Sequence, residues 1–441
     1  MKIPSRLRGL VNSRNLKILL IIVVALAATL AVSINNRSSG PEKSDSQTAA
    51  TDKLINAAQQ ALNSDQNNPN RYAALCNLYL QKVRETADVS YYKKCDDLLV
   101  KATKIDPNNA EVIAAQASVA YGRHFFSEGL SLSQKARQIN PNQVSYYGLA
   151  GDGQVELGQY EEAVKSFQAM VNKKPALNSY NRVAYIREIF GDIEGAKTAL
   201  HSAVSAGSSF PENVAFSQVE LGKLQSRHDL GKAEETYQQA LQTLPDYPPA
   251  LEGLGKAAFA RKDYKKAAKY FQQALDILPI AQYSKALGDT YTAAGDKSKA
   301  EQQYYLTELA FNKSTSGGVN NDYEFSVYLS QQNKDSQKAI ELAKKAVTER
   351  PNIFSSDALA WALYREGRFA EAQATSIEAL RLGENEPSLV YHAGMIAAKL
   401  GQKEQAKKYL QKAIEQDNNF LESHFSLLER KEAADALARL K

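Results

Sequence analysis

Small and apolar residues return along this chain at intervals of about 34 residues, and the positions between them are polar where one face of a helix would meet water. Counting back from the prolines that close each unit, Ala163, Ala196, Ala233, Ala267, Ala300, Ala339, Ala372 and Ala406 hold one equivalent position, 33 to 39 residues apart. Twelve residues before most of them lies a second small residue, namely Gly151, Ala184, Gly255, Gly288, Ala360 or Gly394. Residues 144–175 give the clearest unit. A first helix carries Tyr147, Ala150, Gly151 and Gln154 and stops at Leu157-Gly158, where glycine supplies the left-handed conformation that a helix end needs. A second helix begins near Tyr160 and sets Ala163, Phe167 and Met170 on one buried stripe before Pro175 ends it. Two antiparallel helices joined by so short a turn approach closely, so the positions that face each other must be small. Residues 248–279 and 387–418 repeat the scheme.

This pattern resembles the tetratricopeptide repeat family, with matching positions kept in register over about ten units between residues 69 and 420. The pentatricopeptide repeat is of similar length and would imply RNA, but the alternating Leu-Gly, Ala, Phe and Pro positions fit it less well. The resemblance implies an all-α, right-handed superhelical solenoid in which each helix pair stacks on the next and no single large core is required. Four units depart from the pattern. The first has about seven extra residues around 82–88, the fourth is extended at 206–210, the fifth lacks a turn residue near His228, and the seventh runs without proline into 314–318.

Residues 18–34 are apolar apart from Thr29 and Ser33, and as a helix they would span roughly 26 Å. Five Lys or Arg precede them, and only Arg37 and Lys43 follow closely. The expected order is therefore a basic segment (1–17), one transmembrane signal anchor (18–34), a flexible linker (35–50), a capping helix (51–68), the repeats (69–420) and a C-terminal capping helix (421–441). The positive-inside tendency places the N-terminus in the cytoplasm and the repeats outside it. A cleaved signal peptide, leaving a secreted protein, is the competing expectation for 18–34. The anchor also accounts for the charge. Residues 1–43 hold seven Lys or Arg against one Glu, so a chain of net +5 leaves −1 on everything after them. That balance gives no support for nucleic-acid binding.

Cys76 and Cys95 are the only cysteines. Set in the repeat register, Cys76 takes the place of Gly151 and Cys95 that of Ala163, two positions that face each other. A disulfide there fits an oxidising compartment, and two small buried thiols are the alternative. Little else suggests chemistry. The five histidines are scattered one to a repeat, no HExxH or G-x-S-x-G occurs, and Gly148, Gly151 and Gly153 lie inside a repeat helix without the Lys-Ser or Lys-Thr of a phosphate loop. No enzyme, cofactor or metal is expected.

In the family, the first helix of each pair lines the concave surface. Carried over, those positions give Tyr121, Asn181, Arg182, Tyr185, Phe259, Tyr328, Trp361, Tyr364 and Tyr391 as candidates for a partner protein or peptide. Aromatic side chains with polar tips suit such contacts, and packing between repeats is the competing role. Ala163, Ala196, Ala267, Ala300, Ala339, Ala372, Ala406, Gly151, Gly255, Gly288 and Gly394 are packing residues. The expected function is a membrane-anchored interaction scaffold on the extracytoplasmic side. The alternatives are a cytoplasm-facing tethered scaffold, a regulatory subunit of an envelope enzyme complex, and a cell-wall glycan-binding module.

Overall fold

The computed structural model describes residues 45–421 and 426–440, so the basic segment, the apolar stretch 18–34 and most of the linker lie outside the described residues. Among the described residues there are 22 helices and no strand. After α1 (Asp45–Ser64) come ten antiparallel pairs, each of a first helix and a second. They are α2/α3 (Pro69–Thr86, Ser90–Ile105), α4/α5 (Ala110–Gly122, Phe126–Ile139), α6/α7 (Val144–Glu156, Tyr160–Lys173), α8/α9 (Leu177–Ile189, Ile193–Ala206) and α10/α11 (Pro211–Ser226, Leu230–Thr243). The second five are α12/α13 (Pro248–Ala260, Tyr264–Ile277), α14/α15 (Ala281–Ala294, Lys297–Ser316), α16/α17 (Asp322–Gln331, Ser336–Glu349), α18/α19 (Ile353–Arg365, Phe369–Ala379) and α20/α21 (Pro387–Lys399, Lys403–Gln416). A last helix, α22 (Glu429–Arg439), follows.

The second helices begin on a repeated device. Asp192, Asp229, Asp263, Asp296 and Asp335 each accept a hydrogen bond from the backbone N–H three residues on, at 3.0 to 3.2 Å. Each such cap stabilises its helix by about 1 kcal/mol. The small positions then set the approach of each pair. Ala163, Ala196, Ala267, Ala339, Ala372 and Ala406 have no exposed surface and Ala300 almost none. A Cβ built on Gly255 would lie 2.8 Å from the Phe271 ring, on Gly288 2.7 Å from Tyr304, and on Gly394 2.9 Å from Leu410. On Gly151 it would clash with the Phe167 ring outright.

Two boundaries differ from expectation. Helix α1 already starts at Asp45, so the last residues assigned to the linker are helical. It is held to the first repeat by Thr51, whose hydroxyl donates to Glu85 Oε1 (2.6 Å), and by Asp52, which pairs with the buried Lys82 (2.9 Å). At the other end the described residues 421 and 426–428 of the expected cap are not helical. The Asp417 carboxylate accepts the amides of Asn419, Phe420 and Leu421 and winds them into a tight turn, with Phe420 at φ +54°. The last helix begins at Glu429.

Residues 48–441 form one compact unit because successive turns of the coil touch. The turn between the helices of the second repeat meets the loop before the eighth, where Asn320 donates its amide to Arg123 O (2.9 Å). The third meets the ninth. Arg350 pairs with Glu156 (2.6 Å), and Ile353 N–H donates to the Tyr160 hydroxyl (3.0 Å). The fourth meets the tenth, where a Cβ on Gly191 would sit 2.9 Å from Asn385, and the residue's φ of +80° independently calls for glycine. The fifth meets the segment after the last repeat, with Asn418 N–H on Arg227 O (3.0 Å) and the Asn419 amide on Ser226 O (2.7 Å). Each contact is offset by six repeats, so one superhelical turn takes six. The seam has an apolar core of its own, in which Val155, Tyr160, Ile186 and Ile189 pack with Ile353 and Leu389.

Candidate functional site

On the concave side of this coil the first helices leave a cavity of about 690 Å³. Arg84 (α2), Tyr92 (α3), Glu252 and Lys256 (α12), Lys285 (α14), Tyr323 and Tyr328 (α16) and Leu427 line it. A second cavity, of about 450 Å³, is lined by Tyr121, Asp152, Glu156 and Tyr185. The two share Val83, Arg84, Tyr92 and Gly122, so they adjoin at the C-terminal end of α2 and together make up the channel of this coil.

Most charges in the channel are already paired. Arg182 makes two hydrogen bonds to Asp152 (2.8 and 2.7 Å), Lys256 pairs with Glu252 (2.9 Å), and Lys285 pairs with Asp289 (3.0 Å). Burial alone would raise the Glu252 carboxyl, but Lys256, with Lys223 and the Gln282 amide, holds it below the usual carboxylate range. Arg84 differs. Among the described residues it takes part in no ion pair, and its guanidinium bonds to the neutral Gln81 at the junction of the two cavities. Tyr185 keeps 41% of its surface open, although loss of bulk water and the nearby Glu156 push its hydroxyl well above the ordinary tyrosine range. The Gln81 amide in turn donates to Glu85 and Glu212, and aromatic rings beside a cation with no direct ion pair are chemistry for a segment that carries apolar groups and a carboxylate.

The structure separates the nine candidate lining residues. Tyr121 and Tyr185 border the channel, and Arg182 stands beside it on Asp152. Asn181 accepts from Ser217 (2.9 Å) across the next repeat, and Phe259 packs on Tyr264. Trp361 and Tyr391 are closed to solvent, as is all but the edge of Tyr364. Trp361 stacks between Tyr364 (4.6 Å) and His392 (4.0 Å), and Phe420 lies edge-on to Tyr391 (5.6 Å). Helix α22 covers them, with Glu432 accepting from Tyr391 (3.2 Å) and Arg365 (3.3 Å). Tyr328 touches the large cavity, yet only 1% of it is exposed, its hydroxyl donating to Tyr304 O (3.1 Å). These four serve packing. Arg84 and Tyr323, absent from the candidates, line the channel instead, while Tyr92 backs it as a core residue, 5% exposed with its hydroxyl donating to Gly122 O (2.6 Å). The extra residues at 82–88 were the signal, because that irregular stretch brings Val83 and Arg84 to the junction.

Cys76 and Cys95 are disulfide-bonded, their Cα atoms 4.8 Å apart at the closest approach of α2 and α3. Among the described residues there is no group of three or more His, Cys, Asp or Glu placed to hold a metal ion. No described helix is long and apolar enough to cross a membrane.

With the ten helix pairs in place, two stretches match family models described as tetratricopeptide repeat, at residues 224–281 and 387–420. The chain carries tetratricopeptide repeats. It is 24% identical over 304 residues to the TPR repeat-containing protein YpiA of Bacillus subtilis, which covers 68% of this chain and 69% of that one. It is 23% identical over 180 residues to the human protein O-mannosyl-transferase TMTC1, covering 40% of this chain but only 20% of that protein. Among solved structures, yeast Tom70 aligns over 94% of this chain and 96% of its own at 15% identity, with a TM-score of 0.37. The matched stretch spans a fifth of the human relative, and the activity named for that protein is not carried over.

Proposed function

We propose that this chain is an interaction scaffold that takes an extended segment of a partner protein into its concave channel. The observation that carries the reading is that both cavities border Arg84, a cation without an ion-pair partner among the described residues, which shares one cavity wall with Tyr121 and Tyr185. A carboxylate on the segment meets Arg84, and its apolar side chains lie on the rings. The test is a photo-crosslinking side chain at Tyr185. It should trap one discrete partner, Arg84→Glu should weaken the capture at least ten-fold, and the same probe at Lys165 on a second helix should trap nothing. Equal capture at both positions sinks the proposal.

The finer part of this reading is a single-pass anchor at 18–34 with the repeats on the outer side. Its supports are the apolar run with basic residues before it, and the pairing of Cys76 with Cys95, which suits an oxidising compartment. A membrane-impermeant thiol reagent on intact cells, before and after reduction, tests it. Labelling that appears only after reduction supports the outer side. Free thiols reached only after lysis, alongside an equally shielded reporter cysteine in residues 35–44, place the repeats in the cytoplasm.

A further inference from the structure

The concave face of the sixth and seventh repeats is not empty, because the chain's own C-terminal residues lie on it. Leu421 and Leu427, both under 10% exposed, join the apolar cluster of Ala258, Phe271, Ala286 and Leu287. The Ser426 hydroxyl donates to Asp289 Oδ2 (3.1 Å) on α14, beside Lys285. Upstream, Asn418 and Asn419 bond to the carbonyls of Arg227 and Ser226 at the end of α10, and Phe420 is buried against Tyr391. Main-chain and carboxamide bonds at one end, apolar anchors along the length and a hydroxyl on a groove carboxylate form the bonding set of a bound peptide. Of these partners Ala258, Ala286, Leu287, Asp289 and Tyr391 lie on first helices, the surface that a repeat array offers to ligands.

We infer that residues 417–421 and 426–429 act as an internal ligand of the fifth to seventh repeats, and that a partner segment of the same type, Asn-Asn-Phe-Leu followed by Ser-Leu, competes with them for that surface. This rests on the reading of the concave side as a segment-binding surface and adds its regulation. A tethered segment faces the surface at an effective concentration in the millimolar range, so it excludes free peptides of ordinary affinity until it is released. Leu427 is also a wall of the large cavity, so releasing the segment widens the channel.

The test uses the full chain and a fluorescein-labelled peptide with the sequence of residues 417–429, DNNFLESHFSLLE. Ser426→Asp sets a second carboxylate against Asp289, and Leu427→Lys puts an ammonium group into the apolar cluster of Ala258, Phe271, Ala286 and Leu287. Each is expected to loosen the hold of residues 426–429 without changing a residue of the repeats themselves. By fluorescence anisotropy, either variant should bind the peptide at least ten-fold more tightly than the unaltered chain. Equal binding to all three proteins, or binding to none while circular dichroism shows the helices intact, overturns the inference. Loss of the folded unit in both variants also overturns it, since a displaceable segment is not required for folding. Crosslinking at Tyr185, read in the same proteins, separates the two ideas. Capture retained without a gain in peptide affinity leaves the channel reading and removes this one. A gain in affinity with no capture anywhere does the reverse.

Discussion

Arg227→Met tests whether the seam between coil turns holds the molecule together. The Arg227 side chain is 2% exposed, with its guanidinium 2.5 Å from Glu188 in the fourth repeat and 3.8 Å from Glu386 in the tenth. Methionine keeps most of the volume and removes the charge, leaving two carboxylates facing each other. Breaking a fully buried pair from one side costs about 3–5 kcal/mol. Glu188 and Glu386 keep 21% and 10% of their side-chain surface, so water recovers part of that cost and we expect about 3 kcal/mol. That corresponds to an opening equilibrium larger by roughly two orders of magnitude. Amide hydrogen exchange resolves it. The Asn418 and Ile353 amides bond across the seam to Arg227 O and the Tyr160 hydroxyl, whereas the Ala163 amide bonds within its own repeat to Gln159 O (3.0 Å). Exchange at Asn418 and Ile353 should rise about a hundred-fold while Ala163 is unchanged, since neighbouring repeats keep their own interfaces. Glu188→Gln in the same chain should restore part of the protection. Unchanged exchange at all three amides would refute the argument.

Three further outcomes follow from the packing and the charges. Gly255→Leu forces its side chain into the Phe271 ring and should cost roughly 1–3 kcal/mol or more, and a variant with the urea midpoint of the parent would show that the sixth pair is not closely packed there. Burial by itself pulls the His392 imidazole down, but Asp357 at 2.8 Å and Glu429 hold it up, to about 9. Its stabilising effect, roughly 3 kcal/mol for that gap above 6.5, is therefore complete below pH 6.5 and lost as pH rises through 9. Urea titrations of the parent should show this loss and those of His392→Asn should not; parallel curves would remove histidine as its source. Breaking the Cys76–Cys95 bond, which closes a loop with a sequence separation of 19, should destabilise the first repeat by about 3 kcal/mol, read as faster exchange of the Tyr92 and Ala102 amides. Equal exchange in Cys95→Ala would mean that α2 and α3 are held by packing alone.

The repeat was readable from the order of residues alone. Helix pairs, the small positions between them and the meeting of Cys76 with Cys95 follow from contacts between residues close in the chain, and such contacts leave a period in the sequence. The aspartate caps at 192, 229, 263, 296 and 335 stand outside the small-residue pattern and were recognised only from their hydrogen bonds. What only the tertiary structure decided is the closing of the coil. A seam offset by six repeats joins residues nearly two hundred positions apart, such as Glu156 and Arg350, and no local period records such a pair. It left traces only as irregularities. The extra residues at 82–88 reach the channel, the altered turn near His228 receives Asn418 and Asn419, and the stretch after 314 sends Val319 into the core of the first repeat. The aromatic positions of α16, α18 and α20 could not be assigned from their register for the same reason. A first-helix residue faces solvent or core according to what lies across the groove. Here residues 417–421 and α22 lie across the last repeats, so Trp361 and Tyr391 became core while Tyr185 stayed open.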